Sequence, residues 1–208
     1  MKTLLTAKDI RYSFNDEPLL KDININLIQN TLNILSGENG SGKTTLLKIL
    51  STLLTPNSGT LLMFDEPLTH QRHQRRQIGL SFAEPSLISQ LSVSENLNFF
   101  SSFYDASSNT FHELIHFFKL GALLDRKIQD LSRGEKQKIN LIRSLVQKPT
   151  LVLWDEPESG LDTQSTQLLL SLIEQLMPTT TFLIASHQTH LFAPLPHTLH
   201  KLHRGRLT

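Results

Sequence analysis

The residues with the clearest capacity for chemistry are three glycines, a lysine and a threonine. They stand in the order Gly37-Glu38-Asn39-Gly40-Ser41-Gly42-Lys43-Thr44, which reads G-x-x-x-x-G-K-T. Glycines let the backbone form a concavity whose N–H groups point at phosphate oxygens. Lys43 can reach the β- and γ-phosphates, and the Thr44 hydroxyl can bind Mg²⁺. The segment therefore predicts a phosphate-binding loop of the kind found in nucleotide-hydrolysing proteins.

A loop of this kind needs a strand before it and a helix after it, and the sequence predicts both. Leu32, Ile34 and Leu35 make a short apolar strand. Residues 45–54, beginning at Thr45, place leucine and isoleucine on one face of a helix. The helix N-terminus adds partial positive charge where phosphate is expected.

Two carboxylates and a histidine follow two later apolar segments. Leu151-Val152-Leu153-Trp154-Asp155-Glu156 is a continuous apolar run that ends in acids, as expected for a strand buried on both faces of a parallel sheet. Asp155 is predicted to hold Mg²⁺, and Glu156 to polarise the attacking water. Residues 181–185 predict another buried strand, which delivers His187 to the same edge, where a neutral imidazole can contact the γ-phosphate.

The remaining elements predict an α/β core with two additions. Residues 4–14 and 23–27 predict antiparallel strands around a turn at 15–18, and Phe14 at the first strand's end is a candidate for stacking on a base. Helices over 92–104, 109–120 and 133–147, with no strand among them, predict a helical subdomain of about 84–147 inserted into the core of a single domain spanning 1–208. The basic segment 70–77 is predicted to be a solvated loop.

Composition excludes several classes of function. The 20 basic and 19 acidic residues give a net charge of +1, so bulk charge gives no reason to expect nucleic acid as a partner. Cysteine is absent, which excludes disulfides and thiolate metal sites. No apolar run approaches the roughly 18 residues of a transmembrane helix, so we expect a soluble chain whose membrane role comes through a partner.

One segment suggests a different class of enzyme, a zinc hydrolase. His112-Glu113-Leu114-Ile115-His116 reads H-E-x-x-H, and the two histidines share a helix face. A catalytic zinc needs a third protein ligand, and no downstream residue has the spacing of one. We therefore favour the reading of these histidines as surface residues.

A further segment completes an ordered set. Leu131-Ser132-Arg133-Gly134-Glu135 begins the third inserted helix, where Ser132 is predicted to cap the helix and Gly134 to let an anion approach its first turn. Ser159-Gly160-Leu161-Asp162 is predicted to be a turn that caps the next helix. Together with the phosphate loop, residues 151–156 and His187, this set resembles the ATPase domain of ABC transporters over essentially the whole chain.

The resemblance implies a P-loop, RecA-like ABC ATPase core that binds ATP and Mg²⁺ and works as a head-to-tail dimer. Each ATP would lie between Gly37–Thr45 of one subunit and Ser132–Glu135 of a second ATPase subunit, identical or different, with Asp162 coupling the two sites. Hydrolysis at Glu156 would drive a polytopic membrane permease docked on the helical subdomain. The chain would then be cytoplasmic and peripheral on the inner face of the membrane.

Three positions depart from the family pattern. Alanine stands at Ala83, where a glutamine usually contacts Mg²⁺ and senses the permease, and Glu84 is the candidate substitute. Arg133 replaces a usual glycine, and Glu135 replaces a usual glutamine. The compact chain and the missing glutamine are similar to exporters, including the haem-exporter ATPase of cytochrome c maturation, so export is favoured over import. A non-transport ABC ATPase, such as a cluster-assembly type, is the alternative.

Overall fold

The computed structural model describes residues 2–69, 71–104 and 109–208. Its strands, in chain order, are β1 (Thr3–Phe14), β2 (Glu17–Ile28), β3 (Leu32–Gly37), β4 (Ser58–Met63), β5 (Glu66–Pro67), β6 (Ile78–Ser81), β7 (Leu151–Asp155), β8 (Thr181–Ala185), β9 (His197–His203) and β10 (Arg206–Leu207). Its α-helices are α1 (Lys43–Leu50), α2 (Arg72–Arg75), α3 (Val93–Ser102), α4 (Asn109–Phe117), α5 (Arg133–Leu145) and α6 (Thr163–Leu176).

A six-stranded sheet in the order β10-β9-β3-β8-β7-β6 forms the centre of the molecule. Its strands are parallel from β9 to β6, and β10 returns antiparallel to β9. Ala185 of β8 is in register with Leu35 of β3 on one side and with Asp155 of β7 on the other. The segments that follow these three strands therefore emerge side by side at one edge of the sheet, which is where α/β proteins bind ligands.

Both faces of the central strands are buried, as predicted for β7. Val152 and Trp154 face one apolar core, together with α5 and α6. Leu151 and Leu153 face a second core, together with α1 and the antiparallel sheet. A strand buried on two sides can be apolar at every position, because alternate side chains enter different cores.

The N-terminal part forms the predicted antiparallel sheet, with strand order β2-β1-β4-β5. Asn15 and Asp16 connect β1 to β2 with φ values of 48° and 66°, the left-handed conformation that a two-residue hairpin turn requires. In β2, Ile23, Ile25 and Leu27 are all buried, which confirms the alternation that the sequence predicts.

The chain between β6 and β7 contains α3, α4 and α5. Ser92 and Glu95 form the predicted capping box of α3: the Ser92 hydroxyl accepts from Glu95 N at 3.1 Å, and Glu95 Oε2 accepts from Ser92 N at 2.7 Å. The treatment of about 84–147 as an inserted subdomain of one domain stays a prediction. Within the described residues, no helix is both long and apolar enough to cross a bilayer.

Three local predictions were wrong. β2 begins at Glu17, so the predicted turn at 15–18 contains only Asn15 and Asp16, and the strand is longer than the predicted 23–27. The first helix begins at Lys43 and ends at Leu50, so it is displaced from the predicted 45–54. It ends early because Thr52 has a φ of 61°, which is incompatible with a right-handed helix. The basic segment is not wholly a loop, because Arg72–Arg75 form the single turn α2; His70, at the start of that segment, lies outside the described residues.

Candidate functional site

The glycine-rich segment forms the loop that joins β3 to α1. Gly42 caps α1 with a φ of 103°, and a Cβ at this position would stand 2.8 Å from Leu20 Cδ2, so only glycine fits without strain. Lys43 is 6% exposed, and its Nζ donates to Gly37 O at 2.7 Å and to Glu38 O at 3.1 Å. The Ser41 hydroxyl oxygen is buried, with no hydrogen-bond partner among the described residues. A fixed cation and an unpaired hydroxyl thus face the loop, which suits a phosphate anion.

Thr44 and Asp155 bring two oxygen donors together beside the loop. The Thr44 hydroxyl donates to Asp155 Oδ2 at 2.5 Å. Burial raises the pKa of Asp155, the Thr44 hydrogen bond opposes that rise, and the nearby Glu156 carboxylate adds to it. A buried carboxylate next to a hydroxyl is the hard oxygen donor set that Mg²⁺ prefers, so these residues fit the ion.

Glu156 and His187 meet at the ends of β7 and β8. Glu156 Oε1 lies 2.9 Å from His187 Nδ1. The Glu156 backbone has a φ of 48°, an uncommon conformation for glutamate, and its N–H donates to Ala185 O at 2.8 Å. Because a carboxylate can only accept, this contact assigns a ring proton to Nδ1.

These residues surround an open cleft of about 460 Å³. Its lining contains eight of the residues predicted for the site: Asn39, Gly40, Gly42, Lys43, Thr44, Thr45, Asp155 and Glu156. Leu19 and Ala83 complete the lining. Leu19 is a position that the sequence reading missed, because a single apolar residue after a hairpin turn carries no signal.

Phe14 is placed at the end of β1, opposite Glu17. Its side chain is 64% exposed and is not part of the cleft lining. Exposure leaves the ring free to stack, so base stacking stays a prediction that the geometry permits.

The second predicted group lies outside the cleft. Ser132 caps α5 as predicted: its hydroxyl accepts from Glu135 N at 3.3 Å, and Glu135 Oε2 accepts from Ser132 N at 2.8 Å. These bonds lower the pKa of Glu135. Arg133 donates to Ser159 Oγ at 2.8 Å, and a Cβ on Gly134 would stand 2.6 Å from Gly160 O. The first turn of α5 therefore packs on the turn that precedes α6, with no room for a larger residue at position 134.

Asp162 is the N-cap of α6, as predicted. Its Oδ1 accepts from Ser165 N at 2.7 Å, and this bond lowers the pKa of Asp162. Neither Asp162 nor any residue of 132–135 is part of the cleft lining. The structure thus places eight predicted residues in the cleft lining and a second group at the start of α5 and α6. The remaining predicted residues are not part of the lining: Phe14, Gly37, Glu38, Ser41 and His187.

Gln137 is a residue that the sequence reading missed. It is 2% exposed, and its Nε2 donates to Glu156 O at 3.4 Å and to Pro157 O at 3.2 Å. It therefore ties α5 to the backbone that carries Glu156. The sequence feature that could have identified Gln137 is its position on the apolar face of the amphipathic helix α5, where a buried polar side chain needs a hydrogen-bond partner.

Ala83 and Glu84 follow β6 and border a second cavity of about 560 Å³. Thr44 and Asp155 line the same cavity, while the Glu84 side chain is exposed. Glu84 is thus adjacent to the predicted metal ligands, and its substitution for the usual glutamine stays a prediction.

The two histidines of the H-E-x-x-H segment lie on the exposed face of α4, where His112 and His116 border an apolar groove with Phe117. Among the described residues no group of three or more His, Cys, Asp or Glu side chains is arranged to hold a metal ion.

The capping box of α5 gives a first prediction. We expect Ser132→Ala to lower the free energy of unfolding by about 1 kcal/mol, because Glu135 N loses its acceptor. The Glu135 carboxylate, whose pKa is lowered in the folded state, stabilises the protein above its unfolded-state pKa of about 4.3 and stops doing so as the pH falls through the folded-state value. Urea unfolding at pH 7 and at acidic pH measures both effects.

Ser92→Ala is the matched control, because it removes the same capping box from α3. Both variants should lose similar stability, because each loses the bond between the serine hydroxyl and the N–H three residues later. Unchanged stability in Ser132→Ala would contradict the prediction.

Comparison with known proteins agrees with this geometry. The family model described as "ABC transporter" matches residues 20–159. A lipoprotein-releasing system ATP-binding protein, LolD, of Desulfotalea psychrophila is 34% identical, over 84% of this chain and 84% of its own. A Nod factor export ATP-binding protein of Cupriavidus metallidurans is 31% identical over 90% of this chain, which spans 64% of that protein's length.

The fold has close solved counterparts. A structure described as the ATP-binding subunit of an ABC transporter superposes with a TM-score of 0.90 at 26% identity, over 98% of this chain and 88% of its own. The predicted P-loop ABC ATPase fold is therefore confirmed. The chain belongs to the ABC transporter family and is one of its ATP-binding, ATP-hydrolysing subunits.

Proposed function

We propose that this chain binds ATP and Mg²⁺ in the cleft bounded by Gly37–Thr45, and that hydrolysis there powers export through a separate membrane permease. The observation that carries the proposal is the convergence of Lys43, the Thr44–Asp155 pair and the Glu156–His187 pair at one edge of the sheet. A positive loop, two hard oxygen donors and a base are the parts that phosphoryl transfer to water requires.

Binding uses groups that are already in place. The backbone N–H groups of residues 39–44 surround the phosphates, and Lys43 exchanges its bonds to Gly37 O and Glu38 O for phosphate oxygens. Thr44 and Asp155 are the residues that would hold Mg²⁺. When bound, Mg²⁺ neutralises charge on the β- and γ-phosphate oxygens.

The chemical step depends on Glu156. Its carboxylate accepts a proton from the attacking water, whose oxygen forms a bond to the γ-phosphorus while the bond to the β–γ bridging oxygen breaks. His187 holds Glu156 through Nδ1. The imidazole thereby fixes the orientation of the base.

A second ATPase subunit completes each site. Ser132–Glu135 and Asp162 lie outside the cleft of their own chain, yet they present a helix N-terminus, which is a site for anions. In a head-to-tail dimer, the start of α5 in one subunit covers the γ-phosphate bound by the other. ATP binding then closes the dimer, and hydrolysis with product release reopens it.

Mixing two inactive variants tests this arrangement. Lys43→Ala breaks the phosphate loop and Ser132→Arg breaks the start of α5. In a mixed head-to-tail dimer one site has both defects and the other has none, so ATP turnover should return on mixing. Phosphate release is measured for each variant alone and for the mixture. Sites formed within one chain would leave the mixture inactive, and that result would refute the dimer arrangement.

The proposed partner is the permease, through which hydrolysis drives transport. Binding to the permease would hold the chain at the cytoplasmic face of the membrane. Export is proposed because alanine stands at Ala83, where the usual glutamine is missing; the matching relatives include both export and import proteins. The helical region offers a contact surface in Phe99 and Phe103, which are 43% and 48% exposed with ring centroids 5.0 Å apart. An exposed aromatic pair of this kind marks a protein contact.

Purification of the chain from detergent-solubilised membranes of its own organism tests the permease. We expect a multi-span membrane protein to copurify with the unsubstituted chain and to be lost from the Phe99→Ser, Phe103→Ser double variant. Leu199→Ser removes a similarly exposed apolar side chain from β9 and should retain the partner. Recovery of only non-membrane partners would favour the non-transport alternative.

A further inference from the structure

Glu158 is a buried glutamate that has no role in the proposed steps of ATP hydrolysis. It lies two residues after Glu156 and is 4% exposed. Its Oε1 accepts a hydrogen bond from the Ser186 hydroxyl, and its Oε2 is buried with no hydrogen-bond partner among the described residues. A buried carboxyl without a full set of partners reduces stability, so an apolar side chain would fit this position at lower cost.

The direction of the Ser186 hydrogen bond follows from its other contacts. Ser186 Oγ accepts from Gln188 N at 2.9 Å, so its only hydrogen is left to donate to Glu158. The Ser186 backbone N–H donates to Leu35 O at 3.1 Å, and the residue is fully buried. The turn at 186–188 is therefore held from β3 and from the loop that carries Glu158.

His187 is the central residue of this turn. Its ring contacts Glu156, while the residue before it contacts Glu158. Glu156 and Glu158 belong to one tight turn, in which Ser159 N donates to Glu156 O at 3.0 Å and Leu161 N donates to Glu158 O at 3.1 Å. The two loops are thus joined by two parallel links, Glu156–His187 at the surface and Glu158–Ser186 beneath it.

We propose that Glu158 is a positioning residue for ATP hydrolysis: its carboxyl locks the Ser186 hydroxyl and so keeps His187 against Glu156. The proposal rests on the function proposed above, since it assigns Glu158 to the support of that base. His187 is half exposed, so its ring has little packing to hold it, and the buried link below supplies the restraint. Burial raises the pKa of Glu158, and the Ser186 hydrogen bond opposes that rise.

Glu158→Met tests the link by removing the acceptor at similar volume. We expect kcat to fall by about 10- to 100-fold, because a small displacement of a catalytic group has an effect of this size. KM for ATP should stay the same, since the phosphate loop is untouched. Glu158→Gln keeps an oxygen that can accept the Ser186 hydrogen bond, so its kcat should be close to that of the unsubstituted protein. If the negative charge of Glu158 were what mattered, Glu158→Gln would instead be as slow as Glu158→Met.

Ser186→Ala removes the donor and tests the same link in a smaller change, should Glu158→Met fold poorly. The double variant Glu158→Met, Ser186→Ala should be no slower than either single variant, because both remove one interaction. Ser144→Ala is the matched control: Ser144 is also buried, and its hydroxyl accepts from Trp154 Nε1 at 2.9 Å. It should lower the unfolding free energy without lowering kcat.

Two results would overturn the positioning role. One is an unchanged kcat in Glu158→Met and Ser186→Ala, and the other is an equal loss of kcat in Glu158→Gln and Glu158→Met. Glu156→Gln separates this failure from failure of the proposed function. If Glu156→Gln is inactive while the Glu158 variants are normal, only the role of Glu158 is refuted. If Glu156→Gln hydrolyses ATP normally, Glu156 is not the base, and the positioning role of Glu158 falls with that assignment.

Discussion

Glu156→Gln should lower the turnover number for ATP by about 100- to 10,000-fold, the usual contribution of a general base. The amide has the shape of the carboxylate but cannot accept the proton of the attacking water. Lys43, Thr44 and Asp155 are unaltered, so ATP should bind with unchanged affinity. Steady-state phosphate release and equilibrium binding of ATP measure the two quantities.

Glu174→Gln provides the control for charge, because it makes the same substitution at an exposed position of α6. Its turnover should equal that of the unsubstituted protein. Phosphate release by Glu156→Gln at the normal rate would mean that another group takes the proton. That result would remove Glu156 from its proposed role while leaving the family assignment intact.

Lys43→Ala should weaken ATP binding by about 10- to 100-fold, because a hydrogen bond to a charged group contributes roughly 1.5–3 kcal/mol. Lys43 is 6% exposed, and its ammonium group already lies within the loop, bonded to Gly37 O and Glu38 O. Little reorganisation is needed when phosphate oxygens replace these carbonyls. Titration with ATP in the absence of turnover measures the change.

Lys8→Ala removes a lysine from an exposed position of β1 and should leave ATP affinity unchanged. The pair separates a local effect on phosphate from the general effect of a lower net charge. Equal affinity of both variants for ATP would show that the phosphate loop binds through its backbone alone.

The parts of the fold that could be predicted are those whose sequence pattern is local. The apolar run of β7 indicated a strand buried on both faces, and Val152 and Leu153 do enter different cores. The capping residues Ser92 and Ser132 could be recognised because a hydroxyl and a glutamate three residues later are sufficient to make the box.

The parts that could not be predicted depend on contacts between distant segments. The polar sequence around α2 predicts a loop, yet Gln74 within it is only 7% exposed. The Gln74 side-chain amide nitrogen donates to Pro67 O at 2.9 Å, and its amide oxygen accepts from Thr69 N at 2.8 Å. These tertiary bonds order a turn that its composition does not favour. The early end of α1 at Leu50 likewise follows from the left-handed Thr52 rather than from the leucine pattern.

The same division applies to the site. The phosphate loop, Asp155 and Glu156 each follow a strand and carry a recognisable local pattern, so the sequence could identify them. Glu158 and Gln137 act through partners 28 and about 20 residues away, and no spacing rule marks such pairs. Residues 132–135 have a clear pattern, but the partner proposed for them in the site belongs to another subunit.

The bonds from Gln137 to the backbone of Glu156 and Pro157 join the start of α5 directly to the segment that carries the proposed base. In the proposed head-to-tail dimer, α5 would contact the nucleotide of one site while Glu156 would serve the other. The Gln137 amide would then couple the two nucleotides mechanically, because a shift of α5 at one site would displace the base at the other.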